Sequence, residues 1–195
     1  MEKVADRIAG YFIRSGVAIE DNRDIYVYGL THLFSHGISL VVTITIGIVF
    51  SIPLEMLIFF IPFVSLRVSA GGYHAKSFWK CIIASSSTII SVAIILSQAI
   101  PAIHVATIIL ILIASLVIVF RFAPIEDDNR PLTTYEVLLF RKRSRLSIVL
   151  SGLIIFVITA FGGSYYAFCA ALGIGVATTS IFIAFLVKRV TSNEL

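Results

Sequence analysis

The chain has 195 residues, of which 58% are hydrophobic and 13% charged, and its mean hydropathy is +1.02. Soluble domains carry about 45–50% apolar and about 25% charged residues. This composition therefore excludes a disordered chain, a basic nucleic-acid-binding domain and an ordinary cytosolic enzyme, and it requires a polytopic membrane protein; the formal net charge of +4 then reports orientation in a bilayer rather than affinity for nucleic acid.

Residues 1–24 contain no continuous apolar core of the kind a cleavable signal peptide needs. Val4, Ile8, Tyr11, Phe12 and Ile19 recur at roughly helical spacing between charges. That pattern predicts an amphipathic helix lying on the inner leaflet, the alternative being a partly ordered tail. Three long blocks follow, 25–66, 81–120 and 146–187, and apart from Glu55 they contain no Lys, Arg, Asp or Glu. One helical crossing of the hydrocarbon core needs about 20 residues, so each block is long enough for two. The blocks lack the period-2 alternation of a membrane barrel, and only helices or closed barrels satisfy backbone groups in lipid. The expected architecture is an all-α, single integral-membrane domain over 1–195, with six transmembrane helices in three hairpins. The outer turns are expected at residues 51–55, 97–104 and 161–166, where Pro53, Pro101 and the Gly162-Gly163 pair stand.

All 15 basic residues fall outside the three blocks, in 1–24, 67–80, 121–145 and 188–195. If each block crosses twice, these segments share one side, and basic residues mark the cytoplasmic face. Both termini, and the loops 67–80 and 121–145, are then cytoplasmic. With Cys81 and Cys169 the only cysteines, no disulfide framework is implied.

Six spans leave chemistry to the inner loops and span ends. The loop 67–80 reads RVSAGGYHAKSFWK and runs into Cys81, so it brings a paired glycine, a histidine and a cysteine close together. A cysteine and a histidine form the minimal nucleophile–base pair, because the thiolate is the attacking species and an imidazolium or a helix N-terminus stabilises it. The bland alternative is a small apolar filler at Cys81 and a solvated interfacial side chain at His74. On one straight helix His74 and Cys81 would share a face but lie about 10.5 Å apart along the axis, whereas proton transfer needs about 2.6–3.2 Å or one bridging water. Catalysis therefore requires a chain break between Gly71 and Cys81, with the two glycines supplying the sharp backbone angles, or a pair formed across subunits.

Other polar features have plainer readings. Cys169 is expected to be a buried filler. His32 and His36 stand one turn apart on the first span, yet two ligands make half a zinc site and no nearby Asp, Glu or Cys completes it; packing within the bundle is preferred, and neither metal nor cofactor is expected. The loop 121–145 ends in Arg141-Lys142-Arg143-Ser144-Arg145, which anchors the inner face and is also suited to an acidic partner or anionic lipid.

The stretch Arg67-x-x-x-Gly71-Gly72-Tyr73-His74-Ala75, followed by Cys81 at the opening of a span, resembles the accessory gene regulator protein B family. These are bacterial cell-membrane cysteine endopeptidases that process quorum-sensing peptide precursors. The likeness extends over most of the chain, through Tyr28-Gly29 entering the first span, Ala123-Pro124 after the fourth, and the basic-Pro step Arg130-Pro131. The resemblance implies Cys81 as nucleophile and His74 as catalytic histidine, with Arg67 and Gly72 at motif positions associated with activity. Arg67, Gly71, Gly72 and Ser77 are supporting or oxyanion candidates, and Arg130, Arg141, Lys142 and Arg143 are candidates for holding the substrate. Many relatives carry an acidic residue just after the Tyr-Gly-Leu element, where this chain has Thr31, so no third catalytic member is assigned. The implied partners are a precursor peptide, membrane lipid and a second copy of the chain, and no nucleic acid. The implied product is a cyclic thiolactone or lactone, made near the cytoplasmic face. The competing readings are a small non-enzymatic transporter, for which Pro62 offers a break in the second span, and a partner of a membrane sensor.

Overall fold

The computed structural model describes residues 2–17, 19–71, 78–98, 105–125 and 133–193, apart from the side chains of 2, 78–82 and 191–193. Seven helices follow in order: α1 (Glu2–Arg14), α2 (Arg23–Val49), α3 (Pro53–Ala70), α4 (Phe78–Gln98), α5 (Val105–Phe122), α6 (Thr134–Ala160) and α7 (Ser164–Asn193), with a 3₁₀ turn at Glu20–Asn22. Among the described residues there is no strand. The chain is all-α. Among the described residues, five stretches are long and apolar enough to cross a membrane: Glu20–Val49, Pro53–Ala70, Val105–Phe122, Thr134–Ala160 and Ser164–Val190. The described apolar part of α4, Ile83–Gln98, is shorter. Leu33, Ile61, Leu110 and Phe156 are each more than half exposed on these helices. A surface so rich in bare apolar side chains suits hydrocarbon rather than water.

The chain divides into two compact units, Met1–Val42 and Thr43–Leu195. In the first, α1 forms where the amphipathic spacing predicts it. Its fully buried residues are Ala5 and Ala9, one turn apart, while Val4 and Tyr11 stay exposed, so the helix keeps apolar surface available for a lipid interface. It ends at a Gly16 turn with φ +74°, where the Gly16 N–H donates to the Ile13 carbonyl at 3.0 Å. Arg23, the first residue of α2, reaches Asp6 on α1 at 3.1 Å and Glu20 at 3.2 Å. All three side chains are well exposed, so the pairs set the angle between the helices more than they stabilise it.

In the second unit, α2 and α3 are joined by three residues, 50–52. The turn is tight because Ser51 takes φ 60° and Ile52 donates its N–H to the Gly47 carbonyl at 2.8 Å. A Cβ at Gly47 would stand 2.9 Å from the Pro53 Cα. Pro53 falls at the first turn of α3, where its missing N–H costs nothing, so the helix starts inside the segment 51–55 expected as the turn. Pro62 is buried inside α3, and the helix runs through it unbroken to Ala70.

α7 is the hub of this unit, packing most extensively on α3 and then on α5 and α6. Its buried face is built of small residues, including Ala167, Ala170, Ala171 and Ala177. A Cβ at Gly173 would overlap the Phe59 carbonyl oxygen of α3 and stand 3.1 Å from Pro62 Cγ. Polar side chains tie the same helices together. Ser115 of α5 and Thr178 of α7 are 3.0 Å apart and buried, and Ser65 of α3 meets Ser147 of α6 at 3.0 Å. α4 buries Ile89, Val92, Ala93 and Leu96, and its Leu96 carbonyl accepts a hydrogen bond from Tyr165 Oη at 3.2 Å.

The segment expected to be loop up to residue 145 is helical from Thr134. A capping box starts α6 there. The Glu136 N–H donates to Thr133 Oγ1 at 3.3 Å, and Glu136 Oε2 accepts from the Thr133 N–H at 2.9 Å. Thr133-x-x-Glu136 is the sequence signal for such a start, and neither Gly nor Pro interrupts the chain from 134 to 151.

The Gly173 contact generates a prediction. Gly173→Ala forces a methyl against backbone and should destabilise the α3–α7 pair by about 1–3 kcal/mol. Gly152→Ala, whose Cβ would meet nothing within 4 Å, should leave stability unchanged. Unfolding by sodium dodecyl sulfate in mixed micelles reads both; equal midpoints would show that the close approach contributes nothing.

Candidate active site

The candidate site gathers at the basic end of the second unit, where α3 and α5 finish and α4 and α6 begin. α3 stops at Ala70, and Gly71 takes φ 74° and ψ −152°, a backbone conformation that a side chain would strain. The Gly71 N–H donates to the Arg67 carbonyl at 3.1 Å. Two neighbours hold this last turn. The Arg67 guanidinium donates to Ser180 Oγ on α7, and the Ala70 carbonyl accepts from the Ile125 N–H, beyond the end of α5, at 3.0 Å. A Cβ at Gly71 would overlap the Ile125 carbonyl oxygen.

Around this turn the other helices contribute aromatic and basic groups. The Phe122 ring packs on Phe185 at 4.5 Å and edge-on to Phe182 at 5.7 Å, which joins the ends of α5 and α7. Arg145 of α6 lies over the Phe120 ring, 4.9 Å from its centroid, and its Nη2 donates to the Phe120 carbonyl at 3.4 Å. Its Nε is buried with no hydrogen-bond partner among the described residues. Arg141, Lys142 and Arg143 are exposed on α6, beyond its first turn, held by a helix rather than the loop expected there.

Cys81 is the fourth residue of α4, close to the helix start, where the peptide dipoles favour an anion; its side chain lies outside the described residues. Gly72, His74, Ser77 and Arg130 also lie outside them. What the structure does bring together is Arg67, Gly71, Ser180 and Ile125. Ser180 and Ile125 were not singled out in the sequence. The available signal was faint: Thr178, Thr179 and Ser180 form a polar run within an otherwise apolar span.

The remaining polar residues lie elsewhere. Cys169 is fully buried in α7. In the first unit, Tyr28, His32 and His36 stack along α2, with ring centroids 4.3 Å and 6.3 Å apart. Among the described residues, no group of three or more His, Cys, Asp or Glu is gathered as metal ligands would be.

The family model for accessory gene regulator B matches residues 5–186. The chain belongs to that family. The match takes in the whole stretch from Arg67 to Cys81 and the residues after α5. Among curated relatives, an AgrB-like protein of Clostridium perfringens strain SM101 / Type A is 32% identical over 136 residues. The AgrB-like protein 2 of Clostridium perfringens strain 13 / Type A is 29% identical over 134 residues. Each alignment covers 66% of this chain and 63% of the relative, so the chain spans somewhat less than two thirds of their length. No solved structure matches.

The two cysteines of this family member should differ sharply in reactivity. With Cys81→Ser leaving Cys169 as the remaining thiol, N-ethylmaleimide should label the protein in sodium dodecyl sulfate and leave it unlabelled when folded in mild detergent. Burial excludes the reagent from the thiol of the folded protein. Rapid labelling of the folded variant would contradict the buried position of Cys169.

Proposed function

We propose that the chain is a membrane-embedded cysteine endopeptidase of the accessory gene regulator quorum-sensing system, which removes the C-terminal tail of a precursor peptide. The observation that carries this reading is the family match across residues 5–186, which includes the Arg67–Cys81 stretch. The position of Cys81 near the start of α4 supports it, because a thiolate is favoured there. The transporter alternative rested on a broken second span, and α3 continues through Pro62.

In this mechanism the Cys81 thiolate attacks the carbonyl carbon that precedes the tail. Electron density moves onto the carbonyl oxygen, and the backbone N–H of Gly72, or those at the start of α4, stabilise the oxyanion. Collapse of the intermediate breaks the C–N bond. His74, which took the thiol proton, returns it to the departing amine, leaving a thioester between Cys81 and the peptide. An internal cysteine or serine of the peptide then attacks that thioester, releasing Cys81 and closing a thiolactone or lactone ring. Exchange of one thioester for another is nearly isoenergetic, so ring closure needs no nucleotide if water is kept away. The exposed Arg141, Lys142 and Arg143 on α6 present the charge that an acidic tail would meet.

Co-expression with a precursor peptide tests this reading. Cys81→Ser should abolish tail release, and His74→Ala should slow it by about a hundredfold or more, with both variants inserted in the membrane. Cys169→Ala should cleave at close to the native rate. Retained cleavage by Cys81→Ser would falsify the assignment.

A further inference from the structure

The residues after α5 have no role in the mechanism so far, yet they make the tightest backbone contact at the candidate site. Ile125 gives its N–H to the Ala70 carbonyl at 3.0 Å, and the Ile125 carbonyl oxygen occupies the space where a Gly71 side chain would be. Ala123, two residues earlier, is buried and caps α5 by donating its N–H to the Val119 carbonyl at 3.1 Å. The Phe122 ring before it is set against Phe182 and Phe185 of α7. The segment 123–125 is thus held at its own start, and it meets α3 through backbone atoms at the point where the chain leaves that helix. Arg67 of α3 binds Ser180 of α7. The last turn of α3 is held by both contacts, and it ends four residues before His74 in sequence.

We propose that residues 123–125 act as a backbone clamp on Ala70 and Gly71 that fixes the point at which the chain leaves α3, and that the reactivity of Cys81 toward its His74 partner depends on this clamp. The proposal rests on the assignment of His74 and Cys81 made above. It makes Gly71 a positioning residue rather than an oxyanion donor. Glycine is needed there twice over, for its φ of 74° and because a methyl group would push Ile125 away. Since the clamp is made of main chain, its integrity depends on the Ile125 N–H and on a bare Gly71, and hardly at all on the Ile125 side chain.

The rate at which Cys81 is alkylated by iodoacetamide, measured against pH in a Cys169→Ala background, reads the position of His74 without needing the precursor peptide. A nearby imidazolium favours the thiolate, so loss of that neighbour moves the profile to higher pH and lowers the rate at neutral pH by about tenfold. His74→Ala should produce this shift. Gly71→Ala and Ile125→Pro, which removes the donating N–H, should reproduce it. Ile125→Ala, which keeps the N–H, and Gly152→Ala should retain the native profile. If His74→Ala leaves the profile unchanged, the His74–Cys81 reading itself fails. If His74→Ala shifts it while Ile125→Pro does not, the clamp is overturned and the pairing stands. Should Gly71→Ala not accumulate in the membrane, the two Ile125 variants decide between these outcomes.

Discussion

α7 reaches three other helices at once because small residues, Ala167, Ala170, Ala171, Gly173 and Ala177 among them, recur along its packed length. At Gly173 the backbones of α7 and α3 approach until only a hydrogen fits beside the Phe59 carbonyl oxygen. In lipid the hydrophobic effect does not hold apolar helices together, so association depends on van der Waals contact between closely spaced surfaces and on hydrogen bonds across them. Both follow from this approach. With α7 drawn against α3, Thr178 lies within 3.0 Å of Ser115 on α5, and Ser180 lies within reach of Arg67 on α3. Individually such bonds are worth only about 0.6 kcal/mol in a membrane protein. Their larger effect is to select one rotation of each helix among many of similar packing energy.

That selection matters most at the basic end of the unit. A reacting group placed just past a helix end needs that end anchored, because misplacement by about an ångström is enough to cost two orders of magnitude in rate. Here the anchoring uses hydrogen bonds to main-chain groups at the end of α3, where carbonyls have no helical partner. The Ala70 carbonyl is satisfied by Ile125, so the orphan acceptor left by ending the helix becomes the point of attachment for another segment. The strained-for-others conformation of Gly71 makes that attachment possible by turning the chain out of the helix without a Cβ in the way.

The extension of α6 back to Thr134 changes how the basic run is presented. Arg141, Lys142 and Arg143 stand on a capped helix that continues into a membrane span, and their backbone is fixed before any partner arrives. Less conformational entropy is lost on binding than a loop would lose. Arg145 at the end of the run is spoken for by the Phe120 ring and carbonyl. The four basic residues are therefore not equivalent: three project from the helix, and one is built into the α5–α6 contact.

Composition and residue pattern were sufficient for the all-α membrane architecture and for the end of α3 at Gly71, because these rest on local causes: the length of an apolar run and the freedom of a glycine. The capping box at Thr133 and Glu136 was equally local, and its motif is legible in the chain. Ser180 and Ile125 were not legible as partners of Arg67 and Ala70, since they lie 113 and 55 residues further on. Nothing in the chemistry of a lone serine or isoleucine names the helix it will face. Only the packing of α7 on α3, decided by which residues are small enough to let two backbones meet, brings those groups to the end of α3.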